Sequence, residues 1–241
     1  MKRLFDLLAS FFGLLVLSPI IIPVCFLVWI QDWHSPFYVA KRVGKNENLF
    51  KMVKLRSMIV NADKTGVDST GNNDNRITAV GRFIRKCKLD EISQLWNVLI
   101  GDMSLVGPRP NVKRETDLYS SEEKKLLTVK PGITDFSSIV FSDEGDILEG
   151  KEDPDLAYNQ LIRPWKSRLG LFYIQHQSFL LDIQLIFITI LAIVSRRRAL
   201  RSLNKVLESR QADSVLIDVA KRDYELVPSV PPGMNAVIME R

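Results

Sequence analysis

Two cysteines and two histidines in 241 residues are too few for a disulfide framework or a thiolate metal site. Cys25 lies in an apolar run and Cys87 among basic residues, while His34 and His176 are far apart in sequence. A reducing, cytoplasmic setting fits that usage. No Gly-x-x-x-x-Gly-Lys stretch exists, which argues against a P-loop nucleotidase. Asp90-Glu91-Ile92 has no second aspartate two residues on, unlike the sites of aspartyl-phosphate phosphatases. The chain has no internal repeat. Excess charge is also modest: 33 Lys and Arg against 28 Asp and Glu leave a formal net charge of +5. That suits a surface facing anionic lipid or phosphorylated substrates, and it does not identify nucleic acid as a partner. With 46% hydrophobic residues, the chain is not largely disordered.

A further absence is local. Between Asp6 and Asp32 there is no charged residue, and Leu7 to Ile30 is rich in Leu, Ile, Val and Phe, long enough for a bilayer span. Lys2 and Arg3 precede this run and Lys41, Arg42 and Lys45 follow it, so positive charge does not set a direction of crossing. Ser18-Pro19 lies near its middle and Pro23 one turn later, so a kink is expected near Ser18. The limb from Leu7 to Ser18 covers roughly 18 Å, short of a hydrocarbon core of about 30 Å. Taken alone, these residues favour an ordinary kinked transmembrane helix over one that enters a leaflet and returns. A signal peptide fits less well, because Asp6 breaks the basic start and no small-residue cleavage pattern follows. Trp29 and Trp33 suit the headgroup boundary.

Beyond the apolar run, Phe37 to Met58 alternates apolar and basic positions around Gly44 to Asn48, which predicts a β-hairpin with one basic face. Asn61 to Arg76 reads as a mobile loop. Ile77 to Lys88 is amphipathic, with Arg82, Arg85 and Lys86 on one side and Val80, Phe83 and Ile84 on the other. A solvated face, a headgroup contact and a substrate role all fit it.

In the stretch that follows, Leu89, Ile92, Trp96 and Leu99 recur at steps of three and four, predicting one buried helix face, with Asp90, Ser93, Gln94 and Asn97 on the polar side. Asp90 and Glu91 would occupy the first turn, where the helix dipole and free N–H groups favour a carboxylate. Ordinary helix-end chemistry accounts for such a pair by itself. Prolines on both sides of Arg109 hold that residue extended, which prepositions a guanidinium suited to phosphate or diphosphate; a rigid turn with an exposed arginine is the alternative.

Lys130 to Thr134 is a turn leading into a short strand, and Asp143 to Asp153 reads as a solvated loop without a calcium-binding pattern. Ser178 to Val194 predicts a helix lying in the membrane interface or packed on the first membrane segment, with Arg196, Arg197 and Arg198 at headgroup level. Three regions result: a membrane-embedded segment over 1–36, a cytoplasmic domain over 37–198, and an appendage over 199–241.

Several motifs in order resemble the bacterial sugar transferases known as monotopic phosphoglycosyl transferases. They are Lys2-Arg3-Leu4-Phe5-Asp6, Ser18-Pro19, Arg42-Val43-Gly44-Lys45, Lys54-Leu55-Arg56-Ser57-Met58, Leu89-Asp90-Glu91, Gln94-Leu95-Trp96-Asn97-Val98, Gly101 to Pro110 and Lys130-Pro131-Gly132-Ile133-Thr134. The resemblance covers residues 1–198 and reverses the topological preference above. It implies an α/β chain, mostly helical with a small β-hairpin or sheet, monotopic in the membrane, with a re-entrant helix kinked at Ser18-Pro19 and interfacial amphipathic helices.

It further implies transfer of a phosphosugar from a UDP-sugar to a polyprenyl phosphate such as undecaprenyl phosphate, releasing UMP, at the cytoplasmic face of a bacterial inner membrane. Asp90 would be the nucleophile, and Mg²⁺ would be held by Asp90 or Glu91 together with diphosphate oxygens. Arg109 and Arg85 would meet phosphate, and Asp182 matches a recurrent aspartate that could orient a basic residue. No nucleic-acid partner is expected, and a homo-oligomer is compatible. Lys88, Ser93 and Asp135 depart from the commoner family residues, the last near the expected sugar pocket. The non-enzymatic alternative is a membrane-tethered scaffold that binds anionic lipid or nucleic acid.

Overall fold

The computed structural model describes residues 1–62 and 74–240, so the loop expected at Asn61 to Arg76 lies mostly outside the described part. Its architecture is mostly helical with two two-stranded sheets, as expected for the class.

Helix α1, Lys2–Ile30, is the one described helix long and apolar enough to cross a membrane. It runs on through Pro19, which cannot donate to the carbonyl of Leu15; the Ser18 hydroxyl does so instead at 2.7 Å. Both ends of α1 are tied to the same globular body. At its start, Lys2 pairs with Asp182, Arg3 donates to the carbonyls of Val98 and Leu99, and Asp6 accepts from Ser104. Beyond its end, Asp32 pairs with the buried Arg56, while Val24 and Val28 pack with Leu55, Ile84 and Leu89.

Strands β1, Phe37–Val43, and β2, Leu49–Leu55, form the expected antiparallel hairpin, turned by Asn46 and Glu47 at positive φ. Helix α2, Ala79–Lys86, is capped by Thr78, whose hydroxyl accepts from the Gly81 N–H at 2.9 Å. Lys88 then adopts the left-handed conformation (φ 53°, ψ 27°), and the chain turns sharply into α3, Leu89–Ile92, and α4, Leu95–Ile100.

The predicted faces hold at the start of this last segment, where Leu89 is buried with Ile92 packed beside it, and fail beyond it. Trp96 is 49% exposed, whereas Asn97 is fully buried and Ser93 and Gln94 nearly so. The reason is a hydrogen-bond demand from β2. Its outer edge, unpaired by β1 at Val53, is closed by side chains: Asn97 accepts from the Val53 N–H at 2.9 Å and donates to the Lys51 carbonyl at 2.7 Å, and Ser93 donates to the Val53 carbonyl at 3.2 Å. Periodicity assumes that the buried side is the apolar one. Here the apolar Trp96 and Ile100 remain outward, like most of α1.

Strand β3, Ser104–Val106, pairs in parallel with β4, Gly132–Thr134, on either side of α5, Lys113–Thr116. Gly107 and Gly132 touch backbone to backbone; a Cβ on Gly132 would lie 2.1 Å from the Gly107 nitrogen. Helices α6, Phe136–Val140, α7, Glu144–Leu148, and α8, Pro154–Ala157, lead through a π turn at Tyr158–Ile162 into α9, Arg163–His176. The solvated loop expected over Asp143 to Asp153 is therefore partly helical, with Leu148 in the core and Asp143 held by Arg196 and Arg222.

Helix α10, Phe179–Val194, is the predicted apolar helix, capped by Ser178. Helices α11, Arg196–Ser209, and α12, Ser214–Lys221, follow it. Leu200, Leu203, Leu207, Leu216 and Ala220, beyond the expected domain end, share one core with Phe136, Ile162, Leu169, Tyr173 and Leu185.

Candidate active site

Asp90 and Glu91 are the second and third residues of α3, each facing a cation. The Lys54 ammonium lies 3.7 Å from Asp90 Oδ2, and Arg109 donates to Glu91 Oε1 at 2.8 Å. All four side chains are only partly exposed, so these pairs are less screened than surface salt bridges.

Each member is positioned by backbone hydrogen bonding. Lys54 follows Val53, whose N–H and carbonyl are held by Asn97 and Ser93 on the Asp90 segment itself. The same latch therefore sets the spacing between nucleophile candidate and cation. Arg109 is clamped on both sides: the Pro108 carbonyl accepts from the Gly132 N–H at 3.0 Å, and the Asn111 carbonyl accepts from the Val43 N–H at 2.9 Å. Two tertiary hydrogen bonds thus add to the restraint that the flanking prolines place on Arg109. Arg85 lies in the last turn of α2, and its Nε donates to Ser57 Oγ at 3.0 Å. Burial lowers its basicity, with Asp90 opposing that shift.

Electrostatics make Glu91 a permanent anion at neutral pH. Burial pushes its carboxyl up, but Arg109, Lys54 and Lys88 together outweigh that and bring it down to about 2. Glu91 reciprocally raises the basicity of Arg109, against burial. Lys54 moves the other way: burial and the neighbouring Arg109 lower its ammonium, only partly offset by Asp90 and Glu91.

Asp182 belongs elsewhere. It is buried at the start of α10, pairs with Lys2 and accepts from the Tyr173 hydroxyl at 2.6 Å. The basic residue it pairs with, Lys2, is the first residue of α1. Ser18 and Pro19 lie within α1, away from the carboxylates in sequence and serving its backbone.

Three residues near the site carried no assigned role in the sequence. Lys54 was visible only as part of a motif. Glu144 and Lys166 form a close ion pair, and both Lys166 and, more weakly, Arg109 help to keep Glu144 ionised against burial. Nothing local marked that pair, because its members lie on α7 and α9.

Among the described residues no group of three or more His, Cys, Asp or Glu is placed to hold a metal ion. The donor set of Asp90 and Glu91 still fits Mg²⁺, which commonly takes one or two carboxylates and completes its shell with water and substrate phosphate.

The profile of the bacterial sugar transferase family matches residues 1–196. The chain is 34% identical over 211 residues to the exopolysaccharide production protein ExoY of Sinorhizobium fredii, covering 81% of this chain and 86% of that one. It is similarly 34% identical to the undecaprenyl-phosphate galactose phosphotransferase of Salmonella typhimurium and to the undecaprenyl-phosphate glucose phosphotransferase of Komagataeibacter xylinus. Those alignments cover 81% and 82% of this chain but span only 41% and 36% of the two longer relatives.

Proposed function

The chain belongs to the bacterial sugar transferase family, and on that footing we propose that it moves a phosphosugar from a UDP-sugar to undecaprenyl phosphate or a similar polyprenyl phosphate, releasing UMP. Its place would be the cytoplasmic face of a bacterial inner membrane, at the start of surface glycan synthesis. The observation that carries this reading is the pairing of Asp90 and Glu91 with Lys54 and Arg109 in one partly buried site.

In the proposed reaction, an Asp90 oxygen attacks the β-phosphorus of the donor. The bond from that phosphorus to the bridging oxygen breaks, and UMP leaves with the electron pair. A phosphate oxygen of the polyprenyl phosphate then attacks the same phosphorus, and the bond to Asp90 breaks to give a polyprenyl diphosphosugar and free carboxylate. The covalent stage lets two dissimilar substrates use one site in turn.

Like charges 4 Å apart near a protein surface repel by about 4 kcal/mol, so both approaches need cations. Lys54 offsets the charge of Asp90 before attack. Arg109, prepositioned and held by Glu91, binds the diphosphate, and Arg85 is the second phosphate contact. Asp90 and Glu91 would hold Mg²⁺, which would supply further neutralisation of phosphate charge.

The re-entrant reading of α1 belongs to the same proposal, supported by the attachment of both its ends to one globular body. The test is UMP release from a panel of UDP-sugars with Mg²⁺ and polyprenyl phosphate. Turnover with at least one sugar and near-complete loss in Asp90→Asn are expected. Undiminished activity in that variant would remove Asp90 as nucleophile, and no turnover with any sugar would favour the scaffold alternative.

A further inference from the structure

Pro108 and Pro110 have no backbone N–H, so the segment that carries Arg109 must be held largely through its carbonyls and side chains. The carbonyls of Pro108 and Asn111 supply two bonds, to Gly132 and to Val43. Two points of attachment leave a loop free to rock about the line between them. A third is made on a different segment: the Asn111 side-chain amide donates to the Tyr119 hydroxyl at 2.7 Å.

Tyr119 is held in two ways by one arginine. The Arg163 guanidinium lies 5.3 Å over the Tyr119 ring, and its Nη2 donates to the carbonyl of the preceding residue, Leu118, at 2.6 Å. Arg163 and its partner Glu123 are both fully buried. The Glu123 carboxylate accepts from Arg163 Nε at 3.0 Å and Nη2 at 2.7 Å, from the Ser167 hydroxyl at 2.8 Å and from the Ser120 N–H at 3.1 Å. Arg163 Nη1 donates to Asn159 Oδ1 at 3.0 Å. A buried ion pair gains little stability over apolar side chains of the same volume, because desolvation offsets its attraction. A pair as fully hydrogen-bonded as this one has a single geometry, and its cationic plate suits the face of the Tyr119 ring.

We infer that Tyr119 and Asn111 are positioning residues for Arg109, fixing the root of its side chain in the direction that meets the donor's diphosphate. This rests on the proposed phosphosugar transfer. Glu91 holds the guanidinium at its tip, but a bound diphosphate competes for the same fork, and the direction of approach then depends on the loop. An error of about 1 Å at the root would misalign two parallel hydrogen bonds to phosphate. Burial raises the Tyr119 phenol above its ordinary range, so the acceptor stays a neutral hydroxyl at working pH. Both residues act through Arg109 rather than on substrate.

A double-mutant cycle on the full-length protein in nanodiscs tests this, with equilibrium binding of UDP in the presence of Mg²⁺ as the readout and thermal unfolding measured alongside. Tyr119→Phe removes only the hydroxyl, and Asn111→Ala breaks the same bond from the other side. Each should raise the UDP Kd by about three- to tenfold, the range of one neutral hydrogen bond, and the KM for the UDP-sugar with it. In an Arg109→Met background, Tyr119→Phe should have no further effect on UDP, because the side chain it positions has gone. A merely structural role would lower the Tm in both backgrounds and leave the UDP affinity of the folded protein unchanged.

An unchanged UDP Kd in both Tyr119→Phe and Asn111→Ala would overturn the inference. So would a loss in Tyr119→Phe that persists in full without Arg109. Both results leave the proposed transferase reading standing, whereas absence of turnover by the parent protein with any UDP-sugar would remove that reading and this inference together.

Discussion

Lys2 and Asp182, separated by 180 positions in the chain, meet at 2.5 Å and share the Val106 carbonyl region with the Tyr173 hydroxyl. The contact joins the first turn of the membrane helix to the first turn of α10, directly beneath the strand that leads to Arg109. Asp182 is therefore a structural pin for the platform of the site.

From this pairing, Asp182→Asn should lower stability by about 2 kcal/mol, the usual loss for hydrogen bonds to a charged group. Thermal unfolding in detergent measures it. UDP affinity of the folded fraction should be unchanged; a selective loss of UDP binding at unchanged stability would instead place Asp182 against substrate.

The Glu91–Arg109 pair predicts a specific pH window. A carboxyl at about 2 in the folded protein, below its unfolded value near 4.5, contributes stability that is complete above pH 4.5 and is lost as pH falls toward 2. Glu91 then contributes no acid limb to activity between pH 5 and 8. Arg109→Lys, which lacks the planar fork, should reduce kcat/KM by about a hundredfold while the fold survives. Urea unfolding across pH and UMP release by the variant are the two measurements, and an activity limb near pH 6 abolished by Glu91→Gln would contradict the assignment.

Lys54 should mark the alkaline side. Its ammonium is lowered by burial and by Arg109, so activity that needs the cation should fall at a pH below that of an ordinary lysine. Lys54→Arg should move that limb upward, and Lys54→Met should cost about a hundredfold in kcat/KM at neutral pH. A pH–rate profile indifferent to Lys54→Arg would show that another group sets the limb.

Asn97 carries the latch between β2 and the acidic segment. Asn97→Ala leaves the Val53 N–H without its partner and should cost about 2 kcal/mol, with a drop in activity larger than destabilisation alone produces, because Lys54 loses its register against Asp90. Chemical denaturation and single-temperature kinetics separate the two effects. Equal stability in the variant would refute the latch.

Topology can be read chemically. In a Cys25→Ala, Cys87→Ala background, cysteines placed at positions 2 and 45 should react with an impermeant reagent from the same side of sealed vesicles. Opposite sides would make α1 a span.

Much of the architecture was legible without coordinates, for local reasons. The hairpin over 37–58, the helix from Phe179 and the turn at Lys130 depend on alternation, capping and Pro-Gly chemistry between near neighbours. Motif order and the prolines around Arg109 single out Asp90, Glu91 and Arg109 as candidates. In the segment from Leu89 to Ile100, Leu89 and Ile92 pack inward as periodicity predicts, whereas Ser93 to Asn97 do not, because two rules of burial compete there. Hydrophobic periodicity places Trp96 inside, but the unpaired edge of β2 requires Asn97 and Ser93 there, and Trp96 is left half-exposed.

By composition and order, then, the sequence determined an apolar membrane helix, an acidic pair and an arginine restrained between prolines. Only the tertiary structure decided which cation faces which carboxylate, that Asp182 serves Lys2, and that Glu144 and Lys166 stand beside Arg109. The physical reason is distance along the chain. Ion pairs between elements depend on how helices and strands pack, and that packing leaves no periodic trace around either partner.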